Sequence, residues 1–213
     1  MLGPRLNGQC SRQQAVTHSW QSRGVNSVRR TRPPPAPERS DLLRLADGRE
    51  LVIRPICAED AGPIAASFQL LNEDEVRRRF LHILKALSEE HLRQMTHPTP
   101  GLEFVVVAAE PLPPGEALVA AVARLARDGE AGERAEFGIL VSHFVIGLGL
   151  GRTLLQRLID WSRQHGVSEL WGDVMDDNTA MLELAGRLGF HRETVPGSQG
   201  LIRVSLSLVD RNG

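Results

Sequence analysis

The sequence predicts an α/β chain of the α+β kind: a mixed, mostly antiparallel sheet of about six or seven strands flanked by about four helices. Three observations carry the prediction. Strand-like apolar runs and helix-like periodic segments alternate from about residue 42 to the C-terminus. Three of the runs, Phe104 to Ala109, Ala117 to Arg127 and Ala135 to Val141, follow one another directly. Only the turn-rich Pro111-Leu112-Pro113-Pro114-Gly115 and Asp128-Gly129 separate them, which reads as an antiparallel meander. Finally, Ile146-Gly147-Leu148-Gly149-Leu150-Gly151-Arg152-Thr153 joins the last of these strands to an amphipathic helix, whose Leu150, Leu154, Leu155, Leu158 and Ile159 recur at three- and four-residue spacing.

Taken in order, residues 1–41 read as a disordered Arg/Pro-rich extension. They hold seven arginines and little apolar periodicity, and Pro33-Pro34-Pro35-Ala36-Pro37 closes them, so burial cannot offset the entropy of ordering. An acid-poor leader of this kind also suits a transit peptide. The folded domain is expected over 42–209. Asp47-Gly48 signals a hairpin, and Leu51-Val52-Ile53-Arg54-Pro55 is its strand. Asp60 is placed to help cap a helix through about Leu70, and Ser88-Glu89-Glu90 opens another that ends before Pro98. After the meander and the helix to about His165 come a strand at Glu169 to Val174, a helix at Thr179 to Leu188, and strands near 191–195 and 201–208. The order is β-α-α-β-β-β-α-β-α-β-β.

Composition excludes several function classes. The net charge of -1 gives no global attraction to nucleic acid, and no apolar run approaches the length of a membrane span. Cys10 and Cys57 cannot build a disulfide framework, and neither they nor His82, His91 and His97 show metal-ligand spacing, so no metal is expected. A reducing, cytoplasmic compartment is the natural setting. Lys85 is the only lysine, so the positive charge is almost all arginine.

The glycine run carries the chemistry. Glycines between a strand and a helix leave N–H groups uncovered at the positive helix end, which suits a phosphate, and Arg152 adds charge. The run lacks the Gly-Lys-Ser/Thr ending of a nucleotide-triphosphate loop and does not follow a first Rossmann strand. The bland alternative is a turn that only joins strand to helix. Asn178 is a helix N-cap by position, and an amide there can also face a bound ligand. Arg77-Arg78-Arg79 reads first as a charged helix face.

The element order, with a glycine loop of the form Gln/Arg-x-x-Gly-x-Gly/Ala after the fourth strand, resembles the GNAT superfamily of N-acetyltransferases. Here the loop is Ile146-Gly147-Leu148-Gly149-Leu150-Gly151, with Ile146 in place of the polar residue. Ile53-Arg54-Pro55 with Glu59-Asp60-Ala61, Asp177-Asn178, and Leu188-Gly189-Phe190 extend the likeness over roughly residues 43–208. Within the superfamily the chain is most similar to the acetyltransferase domain of bacterial protein lysine acetyltransferases, through Arg78-Arg79-Phe80-Leu81, Leu87-Ser88-Glu89-Glu90, Ala135-Glu136-Phe137-Gly138 and Met181-Leu182-Glu183-Leu184-Ala185.

The resemblance implies a sheet splayed at its fourth strand, acetyl-CoA as co-substrate, and a primary amine as acceptor. A protein lysine is the favoured acceptor and a small amine the alternative; a catalytically silent acyl-CoA-binding module is the non-enzymatic one. Glu136 matches the family's general base, and its neighbours Phe137 and Ile139 could raise its pKa if they share its face. Gly147, Leu148, Gly149, Leu150, Gly151, Arg152 and Thr153 would bind the pyrophosphate, and Asn178 the pantetheine arm. The backbone of Leu140 or Val141 would polarise the thioester. Relatives carry a tyrosine acid on the late helix, but the matching position is Ala185 and the chain has no tyrosine. The implied partners are acetyl-CoA and the acceptor, with a homodimer left open.

Overall fold

The computed structural model describes residues 39–81, 85–128 and 133–209. The extension up to residue 38, His82, and the glycine of the Asp128-Gly129 turn lie outside them. Strands are β1 (Asp41–Arg44), β2 (Glu50–Pro55), β3 (Glu103–Ala109), β4 (Val119–Asp128), β5 (Arg134–Val141), β6 (Glu169–Met175), β7 (His191–Thr194) and β8 (Leu201–Ser207). Helices are α1 (Ala61–Phe68), α2 (Glu73–Phe80), α3 (Glu89–Thr96), α4 (Leu150–Gln164) and α5 (Thr179–Arg187). Short 3-10 turns at Ala58–Asp60 and His143–Val145 lead towards α1 and α4.

All eight strands form one sheet in the order β1-β2-β3-β4-β5-β6-β8-β7. Every pair is antiparallel except β5 and β6. Period-two alternation divides the core between the two faces. Phe104, Val106, Ala121, Ala123, Leu125, Ala135 and Phe137 pack with α4 residues Leu154, Leu155, Leu158 and Trp161 and with Leu182 and Ala185 of α5. On the other face Val105, Val107 and Val122 pack with Ile64 of α1 and Leu92 and Met95 of α3. The Trp161 indole stacks between the rings of Phe104 at 5.4 Å and His165 at 3.8 Å, which anchors the long α4 on the sheet.

The architecture agrees with the expected fold, with two additions. The Asp47-Gly48 hairpin has a first strand, β1, so the expected fourth strand is β5. A fifth helix, α2, follows α1. Its start is a capping box: the Asn72 Oδ1 accepts from the Glu75 N–H at 2.9 Å, and a Glu75 carboxylate oxygen accepts from the Asn72 N–H at 2.7 Å. Six of its eight residues are charged, which hides the apolar period, since Val76 is its only buried apolar residue. Ser88 caps α3 as expected, accepting from the His91 N–H at 3.2 Å. Asp60 does not cap α1. Its wholly buried carboxylate holds Arg54 through two bonds of 2.7 Å and accepts from the Cys57 N–H at 3.0 Å, tying β2 to the turn before α1.

Candidate functional site

The sheet opens at β5. Parallel pairing with β6 covers only Arg134 with Glu169, Ala135 with Leu170 and Glu136 with Trp171. Beyond these, β5 stays with β4 through Val141 while β6 stays with β8 through Met175. Gly172 sits at the fork, where an added Cβ would lie 2.9 Å from the Phe137 carbonyl oxygen and 3.1 Å from its ring. The close approach therefore needs glycine. The Ser142 N–H donates to the Ala120 carbonyl at 3.0 Å. Alternation along the strand then turns the N–H groups of Leu140 and Gly138 towards β4 and those of Val141 and Ile139 into the gap. Of the two amides expected to meet a thioester, Val141's faces the opening.

The three loop glycines serve different ends. Gly147 and Gly149 have φ of +80° and +83°, a left-handed backbone that side chains disfavour, and open space surrounds both Cβ directions. Gly151 lies inside α4, where an added Cβ would stand 3.4 Å from Leu184 Cδ2 of α5 and 4.0 Å from Val141 Cγ2, ordinary contacts, so neither packing nor backbone geometry demands glycine there. Leu148 packs against the core and Leu150 is buried, so both anchor the loop while its backbone faces out. Gly149 N-caps α4 without a side chain, and its carbonyl accepts from the Thr153 N–H and hydroxyl, each at 3.3 Å. Arg152 is exposed and makes no ion pair among the described residues. Ile146 is 56% exposed, which agrees with a loop that offers its backbone.

One residue absent from the sequence-based list organises the loop's approach. Glu75 of α2 is buried, and besides capping its own helix it accepts from the His143 backbone N–H and lies 3.1 Å from His143 Nδ1. The carboxylate thus joins α2 to the turn that precedes the glycine loop. Its capping-box spacing to Asn72 was visible in the sequence; its long-range partner was not.

A cleft runs through the fork, bounded by Arg78 and Arg79 of α2 and Leu81 after it, by Glu136 to Ile139, by Asp173 and Val174, and by Asn178 and Met181 of α5. Glu136 is exposed on the α2 face, while Ala135 and Phe137 turn to the α4 core and Ile139 packs against it, so these apolar neighbours do not surround the carboxylate. Arg134, two residues before Glu136 on β5, pairs with Glu169 at 3.0 Å. Glu136 has no ion pair among the described residues. Asp173 is held by Arg203 through two bonds of 2.8 Å, and that guanidinium lies 4.2 Å from the Trp171 ring centre. Asn178 caps α5, its Oδ1 accepting from the Met181 N–H at 3.2 Å, and its Nδ2 donors have no partner among the described residues. Ala185 is fully buried in the core. No described group of three or more His, Cys, Asp or Glu is placed to hold a metal, and no described helix is long and apolar enough to cross a membrane.

Residues 56–190, more than half of the chain, match the profile of the Acetyltransferase (GNAT) family. The chain is 29% identical over 166 residues to an acetyltransferase of Pseudomonas aeruginosa, covering 76% of this chain and 87% of that protein. A 47-residue stretch is 45% identical to the ribosomal protein bS18 alanine N-acetyltransferase of Escherichia coli, covering 22% and 32% of the two chains. Among solved structures, the GNAT domain of S. lividans PAT superposes with a TM-score of 0.69 at 22% identity, over 79% of this chain and 96% of that one. The Salmonella typhimurium protein yncA, solved with its cofactor acetyl-CoA, gives 0.56 at 22% identity, over 76% and 96%.

Proposed function

The chain belongs to the GNAT family of acetyl-CoA-dependent N-acetyltransferases, and we propose that it acetylates a protein lysine by direct transfer with Glu136 as general base. The observation that carries the reading is the placement of Glu136. It stands exposed and, among the described residues, without an ion pair where β5 and β6 part, at the head of the gap into which the Val141 amide points. On this reading the pyrophosphate lies on the backbone of Gly147 to Thr153 with Arg152 beside it, the pantetheine arm follows the unpaired edge of β5, and Asn178 Nδ2 donates to that arm.

A lysine is almost wholly protonated at neutral pH, with an ordinary pKa near ~10.4. Glu136 takes a proton from the ammonium, directly or through a water, and the freed amine attacks the thioester carbon. The Val141 N–H stabilises the resulting oxyanion. Collapse of the intermediate breaks the C–S bond and releases the second amine proton. With Ala185 in the place of the family's tyrosine, water returns a proton to the departing thiolate, whose conjugate thiol has a pKa near ~8.5. The sequence resemblance to the acetyltransferase domain of bacterial protein lysine acetyltransferases and the solvent-open carboxylate support a lysine presented by a protein.

The test is transfer of labelled acetyl from acetyl-CoA to lysine-containing proteins or peptides. Glu136→Gln should lower kcat by about 10²–10⁴-fold while the acetyl-CoA-dependent rise in Tm persists. Unchanged turnover in that variant would remove the base from Glu136. Label entering only small molecules would remove the lysine.

A further inference from the structure

The cleft holds a cation that the reaction just described does not use. Arg77, Arg124, Arg134 and Arg203 each grip a carboxylate, Asp177, Glu103, Glu169 and Asp173 respectively, and Arg78 reaches Asp177 at 4.0 Å. Arg79 has no hydrogen bond or ion pair among the described residues. Its guanidinium lies 5.1 Å from the ring centre of Phe80 and flat over Gly138, where an added Cβ would come within 2.8 Å of its central carbon. Gly138 is not in a left-handed conformation, so the space it leaves is space for this guanidinium. Burial first, and then the charge of Arg124, push the Arg79 pKa down to about 10, while Glu136 acts to raise it.

Arg79 is half-buried in the cleft; a partly desolvated guanidinium without an anion carries a cost, which is removed when a carboxylate arrives with the ligand. The anion is not the cofactor's phosphate. Gly138 lies three residues before Val141, about 10 Å of strand, and the glycine loop is further still. Glu136 and Gly138 are alternate residues on one strand face, which puts the base and the cation roughly 7 Å apart. We propose that Arg79, seated on Gly138, is an acceptor-binding residue that selects amines carrying a carboxylate within about 7 Å of the reacting nitrogen. This rests on the reading of the cleft as the place of amine acetylation. A free amino acid and a lysine flanked by Asp or Glu present the same pair of groups.

The experiment uses the full chain loaded with CoA and matched acceptors: lysine peptides with Asp or Glu beside the lysine against the same peptides with Asn or Gln, and free amino acids against their amides. Equilibrium binding and kcat/KM are both measured. The carboxylate member of a pair should bind about tenfold or more tightly, and Arg79→Gln should erase the difference, with Arg79→Lys retaining part of it. The Tm rise with acetyl-CoA in each variant shows that the fold and the cofactor site survive. Which series responds distinguishes peptide from amino acid. Equal affinities within every pair, no binding by any acceptor, or discrimination that persists in Arg79→Gln would overturn the assignment. Discrimination in binding without any transfer would leave Arg79 its ligand and sink the acetyltransfer at this cleft instead.

Discussion

Replacing Gly149 by alanine isolates the conformational demand of the loop. Its φ is +83° and nothing lies within 4 Å of an added Cβ, so the substitution meets no neighbour and changes only the backbone preference. Holding an L-residue in the left-handed region costs about 1–2 kcal/mol. If the loop keeps its shape, the cost falls on the fold. For a chain of this size each kcal/mol is about 2–4 °C, so Tm should drop by roughly 2–8 °C. If the loop instead relaxes, acetyl-CoA affinity should fall by about 5–30-fold. Thermal unfolding with and without acetyl-CoA reads both. Gly149→Asn should recover part of the loss, because asparagine tolerates this region. Gly151→Ala provides the contrast: it has helical geometry, its Cβ meets the flexible end of Leu184 at 3.4 Å and Val141 Cγ2 at 4.0 Å, both ordinary contacts, and alanine favours helix by about 1 kcal/mol, so Tm should hold or rise. Wild-type Tm and affinity in Gly149→Ala, or a larger loss in Gly151→Ala, would refute the reasoning.

Three further outcomes follow from the packing. Burial acts to raise the Asp60 pKa, but the Arg54 guanidinium and the Cys57 N–H outweigh it and hold the carboxyl below its ordinary range. A depressed folded pKa means the contribution is complete above about pH 4 and is lost as pH falls through the lower folded value. Asp60→Asn should therefore lower stability by on the order of 3 kcal/mol at pH 7 and flatten the acid limb of a Tm-against-pH curve; an unchanged limb would assign it elsewhere. Gly172→Ala should cost about 1–3 kcal/mol, since its Cβ would press on the Phe137 carbonyl at the fork, and a wild-type unfolding midpoint would contradict this. Deleting residues 1–38 should leave Tm and acetyl-CoA binding intact. Deleting through residue 44 should lower Tm by several degrees, because it removes β1 and the Asp41 carboxylate that pairs with the buried Arg157 of α4.

The elements that were legible share a cause. Each is announced by local chemistry: Ser88 caps α3, Asn178 caps α5, and the repeat of Leu150, Leu154, Leu155 and Leu158 aligns the buried face of α4. Helix α2 was obscure because its tertiary work is done by charged side chains, which interrupt apolar periodicity even while Asn72 and Glu75 cap it. The same holds for the cleft. The glycines and Asn178 stand out by residue type and position and Glu136 through the family resemblance, but the sequence placed Arg79 on a charged surface, where the structure lays it over Gly138.

Backbone preferences, capping pairs and apolar periods act within a few residues, so the chain alone carries the order of the strands and helices other than β1 and α2, a glycine run at the mouth of α4, and the boundaries of α3 and α4. Partner choice across long separations depends on which strands become neighbours and where they part. That is why only the folded chain shows β5 leaving β6 after Glu136, Glu75 reaching His143, and Asp60 spent on Arg54 instead of a helix end. It also decides that Arg134 is taken by Glu169, which leaves Glu136 open to solvent at the fork. Charges find partners by geometry, and geometry is settled by the sheet.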